Sequence, residues 1–213
     1  MSAPRHGTRV RNNPGVCETP GNLESLDLSR CNQLTDLTPL TGLTELDSLH
    51  LSEFKQLTAL NALEGLTSFR TLVLNGCDLV DLTAIAGLTS LTKLLLIGCE
   101  KLIDLTALSC LTNLEDLDLE GCVKLIDLKG LEGLASLKML DIRRCKNLTD
   151  ITATAKLEKL KKLYCIMCLQ LKDLSPLGHL SSEINVYGAT KSQFDSLSQG
   201  HLSPQGHPSG RVS

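Results

Sequence analysis

The sequence contains no tryptophan, and only five of its 213 residues are Phe or Tyr. A compact globular core mixes aliphatic and aromatic shapes to fill irregular gaps at crystal-like density, so this chain builds something else. It also lacks any apolar run approaching the roughly 20 residues that carry a helix across a bilayer. The opening stretch, MSAPRHGTRVRNNPG, has no apolar segment and does not read as a secretory signal. What the chain has instead is leucine, 47 copies of it, within a hydrophobic content of 42% that excludes disorder for most of the length. One side chain used this often points to one packing environment used many times.

The leucines recur with a fixed period. Units begin at Leu23, Leu46, Phe69, Leu91, Leu114, Leu137 and Leu160, spaced by 23 residues except for one spacing of 22. Each reads LxxLxLxxCxxLxDLxxLxxL, as in LEDLDLEGCVKLIDLKGLEGL from Leu114. The LxLx alternation is strand periodicity with leucine inward, and stacked units place such strands about 4.8 Å apart in a parallel sheet. The return, LxDLxxLxxL, has leucine at every third residue, which fits a 3₁₀-like turn and is too short for a long α-helix. The predicted organisation is a repeat domain over 23–197, with seven full units and a degenerate eighth holding Val186, Phe194 and Leu197 in register. Residues 1–22 and 198–213, rich in Pro, Gly, Ser, Asn and His without periodicity, are predicted to be flexible tails.

This pattern resembles the leucine-rich repeat over residues 23 to about 180, with cysteine where asparagine is commoner. The DLTPL at Asp36–Leu40 and DLSPL at Asp173–Leu177 are similar to the short-repeat subgroup of internalins and of the leucine-rich-repeat regulator of type-one phosphatase. The extra residue between Cys and Leu resembles cysteine-bearing repeats of trypanosomatid and F-box-associated proteins; only Cys77-Asp78-Leu79 has the shorter form. The resemblance implies an α/β, right-handed leucine-rich-repeat solenoid. Its parallel β-sheet would lie on the concave side, with 3₁₀, short-helical or loop returns on the convex side.

Seven positions form a ladder just after the strands: Cys31, Phe54, Cys77, Cys99, Cys122, Cys145 and Cys168. Each is expected to be small, buried and a weak S–H donor at the turn. Rung spacing falls within the Cα separation of a disulfide, but the missing secretory signal predicts a reducing compartment and free thiols. Cys165 and Cys168 read as a strand-core position and a ladder position. No second CxxC completes a zinc site, so no metal or cofactor is predicted. The recurring Asp36, Asp81, Asp104, Asp127, Asp150 and Asp173 read as N-caps of the returns. Asp27 and His50 fall on adjacent rungs with Ser48 and Ser52, a nominal hydrolase set. No strained elbow or oxyanion donor accompanies it, and the chain is predicted not to be an enzyme.

The third, fifth and seventh positions of each unit face the concave side, where the repeat leaves identity free. Ser and His fill the first two units, whereas Val73, Leu95 and Ile97 are apolar and predict a contact surface. Beside them stand Asp116, Asp118 and Glu120, extended by Asp141, a stack of like charges that predicts a partner with a basic surface. Met139, Arg143 and Tyr164 continue the face with side chains favoured at interfaces. Charge is segregated: residues 23–136 carry 17 acidic and 7 basic groups, residues 137–180 carry 4 and 9, and the whole chain nets −3. Such a field steers partners. Nucleic acid is set aside, because only Tyr164 at the basic end can stack on a base. The expected function is a non-catalytic, intracellular protein-binding scaffold or adaptor, without membrane attachment. The resemblance to axonemal leucine-rich-repeat subunits adds docking within a cytoskeletal assembly. The alternative is a regulatory or targeting subunit of a phosphatase or ubiquitin ligase, the latter weakened by the lack of an F-box-like segment before Leu23.

Overall fold

Alternating leucines give each unit a strand of three residues. The computed structural model describes residues 23–29, 31, 36–55, 60–180 and 184–197. Its strands are β1 (Ser25–Asp27), β2 (Ser48–His50), β3 (Thr71–Val73), β4 (Lys93–Leu95), β5 (Asp116–Asp118), β6 (Met139–Asp141), β7 (Lys162–Tyr164) and β8 (Asn185–Tyr187). They form one parallel sheet in sequence order, the right-handed leucine-rich-repeat solenoid. The central leucines Leu26, Leu49, Leu72, Leu94, Leu117, Leu140 and Leu163 stand in register, followed by Val186. All are buried, because one row of side chains faces the interior while its neighbours face out.

The ladder of hydrogen bonds continues past the strands. Leu51 N–H donates to the Val73 carbonyl at 2.8 Å and Leu96 N–H to the Asp118 carbonyl at 2.8 Å. Two residues on, Gly76 donates to Ile97 at 2.7 Å and Arg144 to Ile166 at 2.8 Å. These last donors have left-handed backbone. Gly76, Gly98 and Gly121 accept it freely, whereas Glu53 (φ 67°), Arg144 (φ 60°) and Met167 (φ 63°) adopt it as L-residues, at about 1–2 kcal/mol each.

The chain then turns inward at the cysteine. Sγ of Cys77, Cys99, Cys122, Cys145 and Cys168 donates to the carbonyl of Leu51, Leu74, Leu96, Leu119 and Ile142, at 3.1, 3.1, 3.3, 3.2 and 2.9 Å. Each thiol thus satisfies an inward carbonyl of the preceding rung, a role as a link between units rather than within a turn. All five are free and buried, Cys31 is half-buried, and the buried Phe54 fills its rung with a ring. Burial pushes the thiols of Cys99 and Cys168 up to about 12, so they stay protonated.

The returns are 3₁₀ turns, at Thr38–Gly42, Asn61–Leu63, Thr83–Ile85, Thr106–Cys110, Leu131–Gly133, Thr152–Lys156 and Ser175–Leu177. The recurring aspartates do not occupy the cap position. A leucine or isoleucine does in five of the six units, and the carboxylate one residue earlier accepts the N–H two residues ahead, as from Asp36 to Thr38 (2.8 Å) and Asp150 to Thr152 (2.7 Å). In the fifth unit Asp127 bonds Lys129, and Gly130 takes the cap. The last unit ends in α1 (Lys191–Leu197). Its Gln193, 4% exposed, donates from Nε2 to the Leu171 carbonyl at 2.6 Å, and Ser196 Oγ accepts Leu174 N–H at 3.0 Å. The helix therefore satisfies backbone groups of the seventh unit that a regular eighth return would otherwise meet. The expected tails, 1–22 and 198–213, and the side chains of Phe194 and Leu197 lie outside the described residues.

Candidate functional site

The concave face is built from the side chains that alternate with the buried leucines. At its first rungs Asp27 is in register with His50 and Ser25 with Ser48, and the Asp27 carboxylate accepts Ser29 N–H at 2.9 Å. Among the described residues no three His, Cys, Asp or Glu side chains are grouped to hold a metal.

Two expected surface residues are not accessible. Val73 is only 6% exposed, because its short side chain lies between His50 and Leu95 on the adjoining strands. Asp141 is 5% exposed. Its carboxylate accepts Arg143 Nε at 2.7 and 2.9 Å and Arg143 N–H at 2.9 Å. Leu95 and Ile97 are half-buried rather than fully exposed. Ile97 is held by its N–H, which donates to Asn75 Oδ1 at 2.9 Å.

The stacked acids carry their own counter-ions. Lys93 meets Asp116 at 2.8 Å, and Glu120 receives Arg143 at 2.6 Å and Arg144 at 3.6 Å. Arg143 therefore ties two rungs together, and its guanidinium also lies 5.9 Å from the Tyr164 ring centroid. Tyr164 stacks in turn on Tyr187, centroids 4.7 Å apart and planes 11° from parallel. Tyr187 sits on the degenerate eighth unit, where the failing leucine pattern hid it. Asp118 forms no salt bridge among the described residues, and its carboxylate accepts Glu120 N–H at 2.9 Å. Burial, helped by the neighbouring Asp141 charge, pushes its carboxyl up to about 6 against that bond. Burial likewise raises Asp141, with Arg143 opposing it.

A curved parallel sheet with 3₁₀ returns and an irregular concave face defines the leucine-rich-repeat solenoid, and the comparisons agree. The family model for leucine-rich repeats (2 copies) matches residues 21–68. Internalin C2 from Listeria monocytogenes is similar at 28% identity and TM-score 0.66, over 82% of this chain and 77% of that one. The internalin inlF from the same organism gives 25% and 0.63, over 87% and 61%. The leucine-rich-repeat domain of the type III effector XopL gives 28% and 0.67, over 78% and 60%. The chain thus spans less than two thirds of the last two. No curated protein matches the sequence significantly. Among the described residues no helix is long and apolar enough to cross a membrane.

Proposed function

We propose that the chain is a non-catalytic scaffold that grips a protein partner on its concave face. The observation that carries this reading is the change of character along one face. Ser, Asp and His at β1 and β2 give way to Leu95 and Ile97, then to a charged rung, then to the Tyr164–Tyr187 stack. Preformed solenoid faces bind without ordering cost, and aromatic and arginine side chains are favoured anchors. With Val73 and Asp141 covered, the proposed contact set is Leu95, Ile97, Asp116, Asp118, Glu120, Met139, Arg143 and Tyr164. Because Lys93 and Arg143 already meet Asp116 and Glu120, Asp118 is the carboxylate offered to a basic group of the partner. The repeat's similarity to the phosphatase regulator and to cysteine-bearing trypanosomatid repeats supports the finer reading of a targeting subunit in an intracellular, cytoplasmic or cytoskeletal assembly.

Affinity purification with mass spectrometry names the partner, and calorimetry then tests the face. Replacing Leu95 and Ile97 by Ser is expected to weaken binding by about 1–3 kcal/mol, while the melting curve shifts down only modestly because both side chains are half-buried. Unchanged affinity would move the site off the concave face.

A further inference from the structure

Most charged side chains on the concave face are neutralised within it. Lys93 holds Asp116 at 2.8 Å, and Arg143 holds Glu120 and Asp141 at 2.6 and 2.7 Å. At the first rung the Asp27 carboxylate accepts Ser29 N–H at 2.9 Å. Two side chains of opposite sign stand apart. Asp118 on β5 and Lys162 on β7 form no salt bridge among the described residues. Asp118 is half-buried, with Leu95 in register on one side and Asp141 on the other. Lys162 is exposed, in register with Met139 and Asn185, neither of them an acid.

The register sets their separation. Asp118 aligns with Asp141 and then with Tyr164, and Lys162 lies two residues before Tyr164. Two strand spacings of about 4.8 Å and two residues of about 3.4 Å put the two positions about 12 Å apart. An extended chain covers that distance in about four residues. A helix suits the face poorly, because each strand has three residues and measures about 7 Å from first to last, against about 10–12 Å for a helix with its side chains. The wider charge distribution runs the same way. Residues 23–136 carry 17 acidic and 7 basic groups and residues 137–180 carry 4 and 9, so Asp118 lies in the negative stretch and Lys162 in the positive one. At the approach to β7 the exposed Lys159 and Lys161 outnumber Glu158.

We propose that the concave face reads an extended segment of its partner by polarity. A lysine or arginine of the segment meets Asp118, and an aspartate or glutamate about three to five positions away meets Lys162. This rests on the concave face being the binding surface and adds the chemistry of what binds there. The methylenes of the basic side chain lie on Leu95 and Ile97 while its charged head reaches the carboxylate, as long basic side chains do on apolar ground. The residues between the two charges pass over Tyr164, whose ring already has the Arg143 guanidinium beside it. A segment of the opposite polarity sets like charges together at both ends and is rejected. The two-ended field of the solenoid turns an approaching segment the right way before contact.

The test is selection of a displayed library of random short peptides on the full chain, scored against the unselected library. Opposite charges about three to five positions apart should be enriched. One enriched peptide, carrying a fluorophore, is then titrated by anisotropy. Asp118→Asn and Lys162→Ala should each raise its Kd about three- to tenfold. Neutralising the matching residue of the peptide should add little to either loss, which a double-mutant cycle reads. The same peptide with its acidic and basic residues exchanged should bind at least about tenfold more weakly. Leu95→Ser separates two kinds of failure. Peptides indifferent to it bind elsewhere, and the concave-face reading falls together with this one. Peptides weakened by it that carry no charge pair, or that ignore Asp118→Asn and Lys162→Ala, keep the face and overturn the polarity. An enriched spacing of about eight positions would mean a helix and overturns the extended form. A library with no enrichment overturns the proposal outright, because a preformed face needs no more of its partner than the segment.

Discussion

Leu117 and Asp118 are neighbours on β5, and their surroundings differ as much as any two in the molecule. Leu117 is fully buried, in register with Leu94 and Leu140, in an environment that every other unit repeats. Asp118 has Leu95 on one side and Asp141 on the other, a combination found once. Inside the sheet, each unit must offer its neighbour the same shape, and the cysteine Sγ–carbonyl bonds link unit to unit in the same way. Outside it, no neighbour imposes a residue, so hydroxyls, apolar groups, charges and rings succeed one another along the axis. The inside therefore reports how the chain folds, and the outside reports what it meets.

The sharpest way to separate the two sides is to truncate the inward one. Leu119 is fully buried just beyond β5, and Leu119→Ala should destabilise by about 2–5 kcal/mol in urea unfolding. Because solenoid stability is a sum of neighbour terms, hydrogen exchange should show the loss concentrated in the fourth to sixth units. A change below about 0.5 kcal/mol, the usual range for surface substitutions, would place Leu119 outside the core.

That division also explains what could be read from the residues. Strands, 3₁₀ returns and the cysteine ladder were legible because each is repeated, so one misread unit is corrected by the next. The concave face was legible in direction but not in exposure. Val73 is covered by residues from the units on either side, and Asp141 by an arginine that Glu120 of the preceding rung also holds. Contacts between units depend on which side chains coincide, and no pattern within one unit encodes them. Val80, Ile103 and Ile126 are the reverse case: they recur every 23 residues between a leucine and an aspartate, yet all three are exposed, so periodicity alone does not mark a side chain as inward.

A smaller effect should come from unlinking the charged rungs. The Asp141 side chain is 7% exposed, that of Arg143 is 36% exposed, and they meet at 2.7 Å. Removing one partner of a buried pair commonly costs 3–5 kcal/mol. Solvent at the guanidinium reduces this, so Arg143→Gln should cost about 2 kcal/mol. Asp141→Asn in the same chain should recover part of the loss, which a double-mutant cycle measures. Full additivity would mean that the two side chains do not support each other.

The smallest effect, and the one that tests the outside face most directly, concerns Asp118. Its carboxyl is raised from 3.8 to about 6, so between these values the folded chain holds a proton that the unfolded chain has released. Stability then falls as pH rises through that window, and it remains at the lower value above about 6. Asn keeps the acceptor used by Glu120 N–H, at 2.9 Å in the native chain, and has no charge to desolvate. Asp118→Asn should therefore stabilise the protein at pH 7.5 by about 1 kcal/mol, the full shift having been discounted because the carboxylate is partly in solvent. Below the window the gain should vanish, since the carboxyl is protonated there in both the folded and the unfolded wild-type chain. Urea unfolding of the two proteins at both ends and the middle of the window provides the comparison. An equal gain at every pH would trace the stabilisation to packing or hydrogen bonding, and the carboxylate would then contribute nothing through its charge. A gain that grows across the window would show that this rung holds an ionised group against its own burial, leaving it available to a partner that supplies the missing cation.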